Sequence, residues 1–189
     1  KQSSRLFQYE DKADIINIEP ARQKDWLRSD ISLVQAKVDN IRFKETKQKE
    51  PQLDINYTIE SSQYGNKTGK RLFIPVNIFH KCFYSPSNQG ERTQDIQINY
   101  GYLDIDSLNI RLPEGYEIES LPKTTDMETK FGKFHSSITL EEDGNILIVH
   151  RLLFHQGNYP KEDNTDFMDF RKNVATQYAA KIIVKKSGE

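Results

Sequence analysis

The sequence predicts a mainly β protein, an antiparallel β-sandwich with a helical connector at its N-terminus and one helix near its C-terminus, about residues 163–177. Three observations carry that expectation. Nineteen Ile, nine Tyr and ten Phe stand against six Ala, a balance that suits pleated, half-buried surfaces better than helices. Apolar and polar residues alternate with period two over several runs. Asp143-Gly144 separates two such runs, which is a strong hairpin signal.

In chain order, Tyr9 to Ile18 is mixed in character. Residues 20–29 then read as helix, with Pro20 at a favourable first position and Trp26 and Leu27 on the apolar side. Residues 1–29 are expected to form the connector from an upstream domain, and 30–189 the β-sandwich. Lys44 to Glu50 is a charged loop. Leu53, Ile55, Tyr57 and Ile59 form one apolar stripe, and Leu72, Ile74, Val76 and Ile78 a second. Pro75 lacks an amide donor, which predicts an edge strand or a bulge there. Ile96 to Tyr102 gives a third stripe and Leu108 to Leu112 a fourth, with Asp104 and Asp106 expected in a turn between them. Leu112-Pro113-Glu114-Gly115 suits a type I turn.

Phe134, Ser136, Ile138 and Leu140 lead into the acidic turn Glu141-Glu142-Asp143-Gly144-Asn145. Ile146 to Phe154 is apolar on both faces, which predicts a central strand covered on both sides. Phe167, Phe170 and Val174 fall at helical spacing behind Asp163, a residue suited to capping, and Ile182 to Val184 forms a last short strand.

Composition excludes several functions. Leu, Ile, Val and Phe total 48 residues, above the ~20% below which a charged chain tends to stay disordered. Net charge is −1 and the isoelectric point about 6.5, without the clustered basic excess that phosphate binding needs. No apolar run approaches the ~18 residues of a membrane helix, and no basic-then-apolar leader opens the sequence. Cys82 is the only cysteine, so no internal disulfide forms and the compartment is not diagnosed. The start at Lys1 and the end Lys185-Lys186-Ser187-Gly188-Glu189 suggest a segment of a longer polypeptide.

Candidate sites are few. His80-Lys81-Cys82 is the one nucleophile-like pair, but two residues apart on a strand the side chains stand roughly 7 Å apart, too far to hydrogen-bond directly. Cys82 therefore reads as inert, with a cysteine-based hydrolase using His80 and Cys82 as an alternative. Gly65-Asn66-Lys67-Thr68-Gly69-Lys70 lacks the spacing and the Ser or Thr of a phosphate loop and reads as a hairpin turn. His80, His135, His150 and His155 show no zinc spacing, Asp104 and Asp106 lack the rest of a calcium loop, and no metal or cofactor is expected. Glu141, Glu142 and Asp143 read as a solvated turn. Tyr57, Tyr64, Tyr84, Tyr100, Tyr102 and Tyr116 form the alternative of a carbohydrate-binding platform. The sequons at Asn56 and Asn66 read as chance matches.

The residues 71–77 (Arg71-Leu72-Phe73-Ile74-Pro75-Val76-Asn77), Tyr100-Gly101-Tyr102, Leu112-Pro113-Glu114-Gly115-Tyr116, Leu121-Pro122, Phe131-Gly132-Lys133-Phe134, Gly157-Asn158-Tyr159-Pro160 and Phe167 to Phe170 occur in a characteristic order. This pattern, over most of residues 50–186, resembles the C-terminal β-domain of unknown function that follows a transglutaminase-like domain in envelope proteins of Gram-negative bacteria. The resemblance implies no catalytic residue in this chain, because the Cys, His, Asp set of the preceding domain has no counterpart here. It implies a non-catalytic accessory or interaction domain of a larger exported protein, periplasmic or at the cell surface. Such a domain would pack on the upstream domain of the same polypeptide or hold a polypeptide or glycan, with no nucleic acid and no membrane span.

Overall fold

The computed structural model describes residues 2–5, 7–79, 92–112 and 114–187. The chain divides into two compact units, residues 1–64 with 78–80, and residues 65–77 with 81–189. Among the described residues the secondary structure is mainly antiparallel β, in several sheets.

The first unit contains β1 (Gln2–Arg5), α1 (Phe7–Ala13), α2 (Pro20–Ser29), β2 (Lys37–Thr46) and β3 (Gln52–Glu60). β3 lies between β1 and β2, antiparallel to both. Its apolar alternation explains the position, since Leu53 and Ile55 are fully buried with Ile15, Leu27, Ile31, Ala36 and Val38. A bulge interrupts β2 between Asp39 and Arg42, where Asn40 takes a φ of 55°, a conformation that Asn tolerates better than most residues. Pro20 opens α2 as expected. The Gln23 side-chain amide donates to the Ile15 carbonyl at 3.0 Å and ties this helix to the turn before it. The segment expected as a helical connector thus also supplies a strand, and it shares a compact unit with β2 and β3.

The second unit contains β4 (Asn66–Thr68), β5 (Arg71–Pro75), β6 (Ile96–Ile98), β7 (Tyr102–Arg111), β8 (Tyr116–Ser120), β9 (Thr125–Thr129), β10 (Gly132–Leu140), β11 (Asn145–Phe154), β12 (Gly157–Tyr159), α3 (Asn164–Tyr178) and β13 (Lys181–Lys186). Two four-stranded sheets run in the orders β7-β11-β10-β9 and β4-β5-β13-β8, and β6 and β12 pair as a short ribbon. This is consistent with a β-sandwich. The Asp143-Gly144 turn joins β10 to β11 in continuous register from Leu140↔Ile146 to Gly132↔Phe154. On the inner face Phe131, Phe134 and Leu152 pack with Phe170, Val174 and Tyr178 of α3. Rings set at 4.8–5.5 Å fix this core, including Phe131 against Tyr159 and Phe167, and Phe154 against Phe170.

The structure corrects five expectations. Asp104 and Asp106 do not form a turn; they lie on the inward-facing side of the continuous strand β7, paired through β11. The third stripe is not one strand: Ile96–Ile98 forms β6, Tyr100 is 65% exposed, and Tyr102 opens β7. β5 is not an edge strand, because β4 and β13 flank it. Pro75 ends that strand beyond the reach of β4, which stops opposite Phe73, so its missing donor costs no bond to β4. β11 is central as expected, but within the described residues only its inner face is fully covered. Pro113 lies outside the described residues. Asp163 precedes α3 without capping it and instead pairs with Lys130 at 2.5 Å.

Candidate functional site

The uncovered outer face of β7-β11-β10-β9 can be built from the strand register. Side chains alternate between faces, and directly paired residues stand side by side. One row across this face therefore reads Leu103, Leu153, Lys133, Glu128. The next reads Ile105, Arg151, His135, Asp126, and a third Ser107, Val149, Ser137. A groove of about 670 Å³ lies over these rows, with Leu103, Val149 and Leu153 among its apolar lining and Arg151 and His135 among its polar groups. Leu103 and Ile105 are 47% and 55% exposed, so neighbouring aliphatic side chains on one sheet face remain open to water.

The charges on this face are mostly matched. His135 Nδ1 lies 2.7 Å from Asp126 Oδ1, and Lys133 Nζ lies 2.6 Å from Glu128 Oε1. Arg151 is exposed and makes no ion pair or side-chain hydrogen bond among the described residues.

The inner face carries a different polar row, Asp106, His150, Ser136 and Thr125. These are residue types of nucleophilic catalysis, but their geometry is not catalytic. Ser136 and His150 are each 1% exposed, and the Ser136 hydroxyl has no hydrogen-bond partner among the described residues, whereas an activated serine donates to its base. His150 Nε2 lies 3.3 Å from the Val76 carbonyl, and its ring packs against Phe134 and Tyr178. The row is a buried element of the sandwich. Period-two spacing could have revealed it, had Asp104 and Asp106 been placed within a strand.

The remaining candidates fall apart from one another. His80, Cys82 and Tyr84 lie outside the described residues. His155 follows the end of β11, with Nδ1 3.2 Å from the Lys130 carbonyl. No group of three metal-ligating side chains occurs among the described residues. Gly65 to Lys70 belongs to the β4–β5 hairpin, with Gly69 at a φ of 59°. Glu141 to Asp143 form an exposed turn, in which Asp143 accepts from the Asn145 amide at 3.0 Å. Tyr102 stacks on Phe154 at 5.1 Å, while Tyr57, Tyr64 and Tyr116 are half-buried. Burial pushes the Tyr64 hydroxyl up to about 12. Tyr100 alone of the described tyrosines is exposed, so they present no stacking platform. Among the described residues no helix is long and apolar enough to cross a membrane.

Fold and surface together define an antiparallel β-domain with one open, partly apolar sheet face and no assembled catalytic group among the described residues. Residues 70–184, from Lys70 just before β5 to Val184 in β13, match the family described as a domain of unknown function, DUF3858, and the chain belongs to that family. No curated protein and no solved structure matches the chain.

Proposed function

We propose that this chain is a non-catalytic interaction domain of a larger exported protein that carries a transglutaminase-like domain, and that it holds a polypeptide partner on the outer face of β7-β11-β10-β9. The exported parent and the periplasmic or cell-surface location rest on the sequence resemblance. The interaction rests on one observation: β11 is apolar on both faces, yet its outer residues Val149 and Leu153 line an open groove beside the exposed Leu103 and Ile105. Burying a half-exposed Leu or Ile completely is worth about 1 kcal/mol, as part of the 1.5–3 kcal/mol for a fully exposed one. Several such side chains give a partner a real gain, while the free domain gains little from leaving them wet.

A random peptide library displayed on phage tests this directly. The native chain should enrich peptides, and Ile105→Asp with Leu153→Asp should abolish that enrichment while keeping the far-UV spectrum. Equal enrichment on both proteins would remove the proposed face. Rapid alkylation of Cys82 at neutral pH, with a depressed thiol pKa, would overturn the non-catalytic part.

A further inference from the structure

We infer that the polypeptide held on this face is an extended segment that presents a carboxylate to Arg151, with apolar side chains two residues to either side. The inference rests on the interaction proposed above and adds the chemistry of its partner. Lys133 and His135 already face Glu128 and Asp126, and Arg151 has no such counterpart among the described residues. A partner that covers the groove removes water from the guanidinium, and an unmatched buried charge is strongly unfavourable. A carboxylate removes that penalty and fits the planar fork of Arg with two parallel hydrogen bonds.

The sheet also sets the spacing. Arg151 lies between Leu153 and Val149 on one face of β11, and successive same-face residues of a strand stand roughly 6.8 Å apart. An extended partner running along β11 has the same repeat. Its acidic side chain over Arg151 and Ile105 places one apolar side chain over Leu153 and Leu103 and the other over Val149 and Ser107. A second copy of this chain fits poorly, because its own face brings another unmatched Arg151 while its carboxylates are engaged. A glycan fits poorly because no exposed aromatic ring among the described residues lines the groove.

The phage library supplies the test on the full chain. Peptides enriched by the native protein should carry Asp or Glu flanked at both second neighbours by Leu, Ile, Val or Phe. Synthetic versions should lose at least tenfold in affinity for Arg151→Glu and retain part of it for Arg151→Lys, and a Lys-centred peptide should gain on Arg151→Glu. Arg151 is exposed, so an unchanged urea midpoint will confirm that these variants fold. Acid-free peptides, or a change under threefold on Arg151→Glu, would overturn the carboxylate inference and leave the interaction face standing. No enrichment on the native chain would overturn both. A glycan-array signal, or a dimer in sedimentation equilibrium, that Ile105→Asp abolishes would overturn the choice of a partner polypeptide.

Discussion

Replacing Gly132 by Ala should be among the most damaging single-methyl changes in this protein. Gly132 opens β10 opposite Phe154 of β11. A Cβ built there meets the Leu153 carbonyl oxygen at 2.0 Å and Phe154 Cα at 3.2 Å. Both obstacles are backbone, so no side chain can swing aside, and the strands must separate by about 1 Å to restore an ordinary contact. Overpacking of this kind costs about 1–3 kcal/mol. The separation also breaks one or two ladder hydrogen bonds, worth about 0.5–1.5 kcal/mol each, and a stiffer unfolded chain returns about 0.4–1 kcal/mol. The net loss is about 3 kcal/mol, or about 6–12 °C in melting temperature for a chain of this size. Urea unfolding followed by far-UV circular dichroism measures it, with the slope expected to stay constant. Gly144→Ala is the control: its φ is +81° and no atom lies within 4 Å of the new methyl, so it should cost only the left-handed backbone penalty, about 1–2 kcal/mol. A Gly132→Ala loss under about 1 kcal/mol would refute the close approach of β10 and β11.

Phe131→Ala should cost about 3–5 kcal/mol, because its fully buried ring contacts Tyr159 at 4.8 Å and Phe167 at 5.1 Å; thermal unfolding with the near-UV spectrum reads the loss. Tyr64 should ionise near pH 12, well after exposed tyrosines, in absorbance titration at 295 nm, and Tyr64→Phe should remove one tyrosine from the late phase. Its neutral form is favoured by folding, so the stabilisation is fully present below pH 10 and is lost as pH rises through about 12, about 3 kcal/mol in all. Glu119 is held below the ordinary carboxylate range by hydrogen bonds from Arg71 at 2.6 Å. Arg71→Ala should return its NMR titration upward. The stabilisation from this exposed pair is present above the ordinary carboxylate pKa and disappears as pH falls through the lowered one, and salt should weaken it.

The hairpin of β10 and β11 was legible in the sequence because its determinants are local. Alternation sets the faces, and Gly144 supplies the positive φ at the turn. α3 was legible for the same reason, since Phe170 and Val174 reach the core at helical spacing. Asp104 and Asp106 misled because Asp is disfavoured in strands and becomes acceptable only in a particular sheet. Their place in β7 depends on Ile105 lying opposite Arg151, a partner 46 positions away. The division of the chain was hidden similarly, because β1 pairs with β3 across about fifty residues, from Gln2 to Ile55.

The candidate face shows where the two kinds of information separate. Ile146 to Phe154 carries apolar side chains on both sides of one strand, and the sequence alone requires that strand to be central, since apolar groups leave water wherever neighbours are available. What covers each side is a property of residues far away in the chain. Tertiary packing places α3 and the buried aromatic rings on the inner face and leaves the outer one open. It also pairs His135 and Lys133 with carboxylates of β9 and, among the described residues, leaves Arg151 without one. Alternation fixes which residues share a face, because the backbone geometry is local; which face is buried, and which charge is left over, is decided only when distant strands meet.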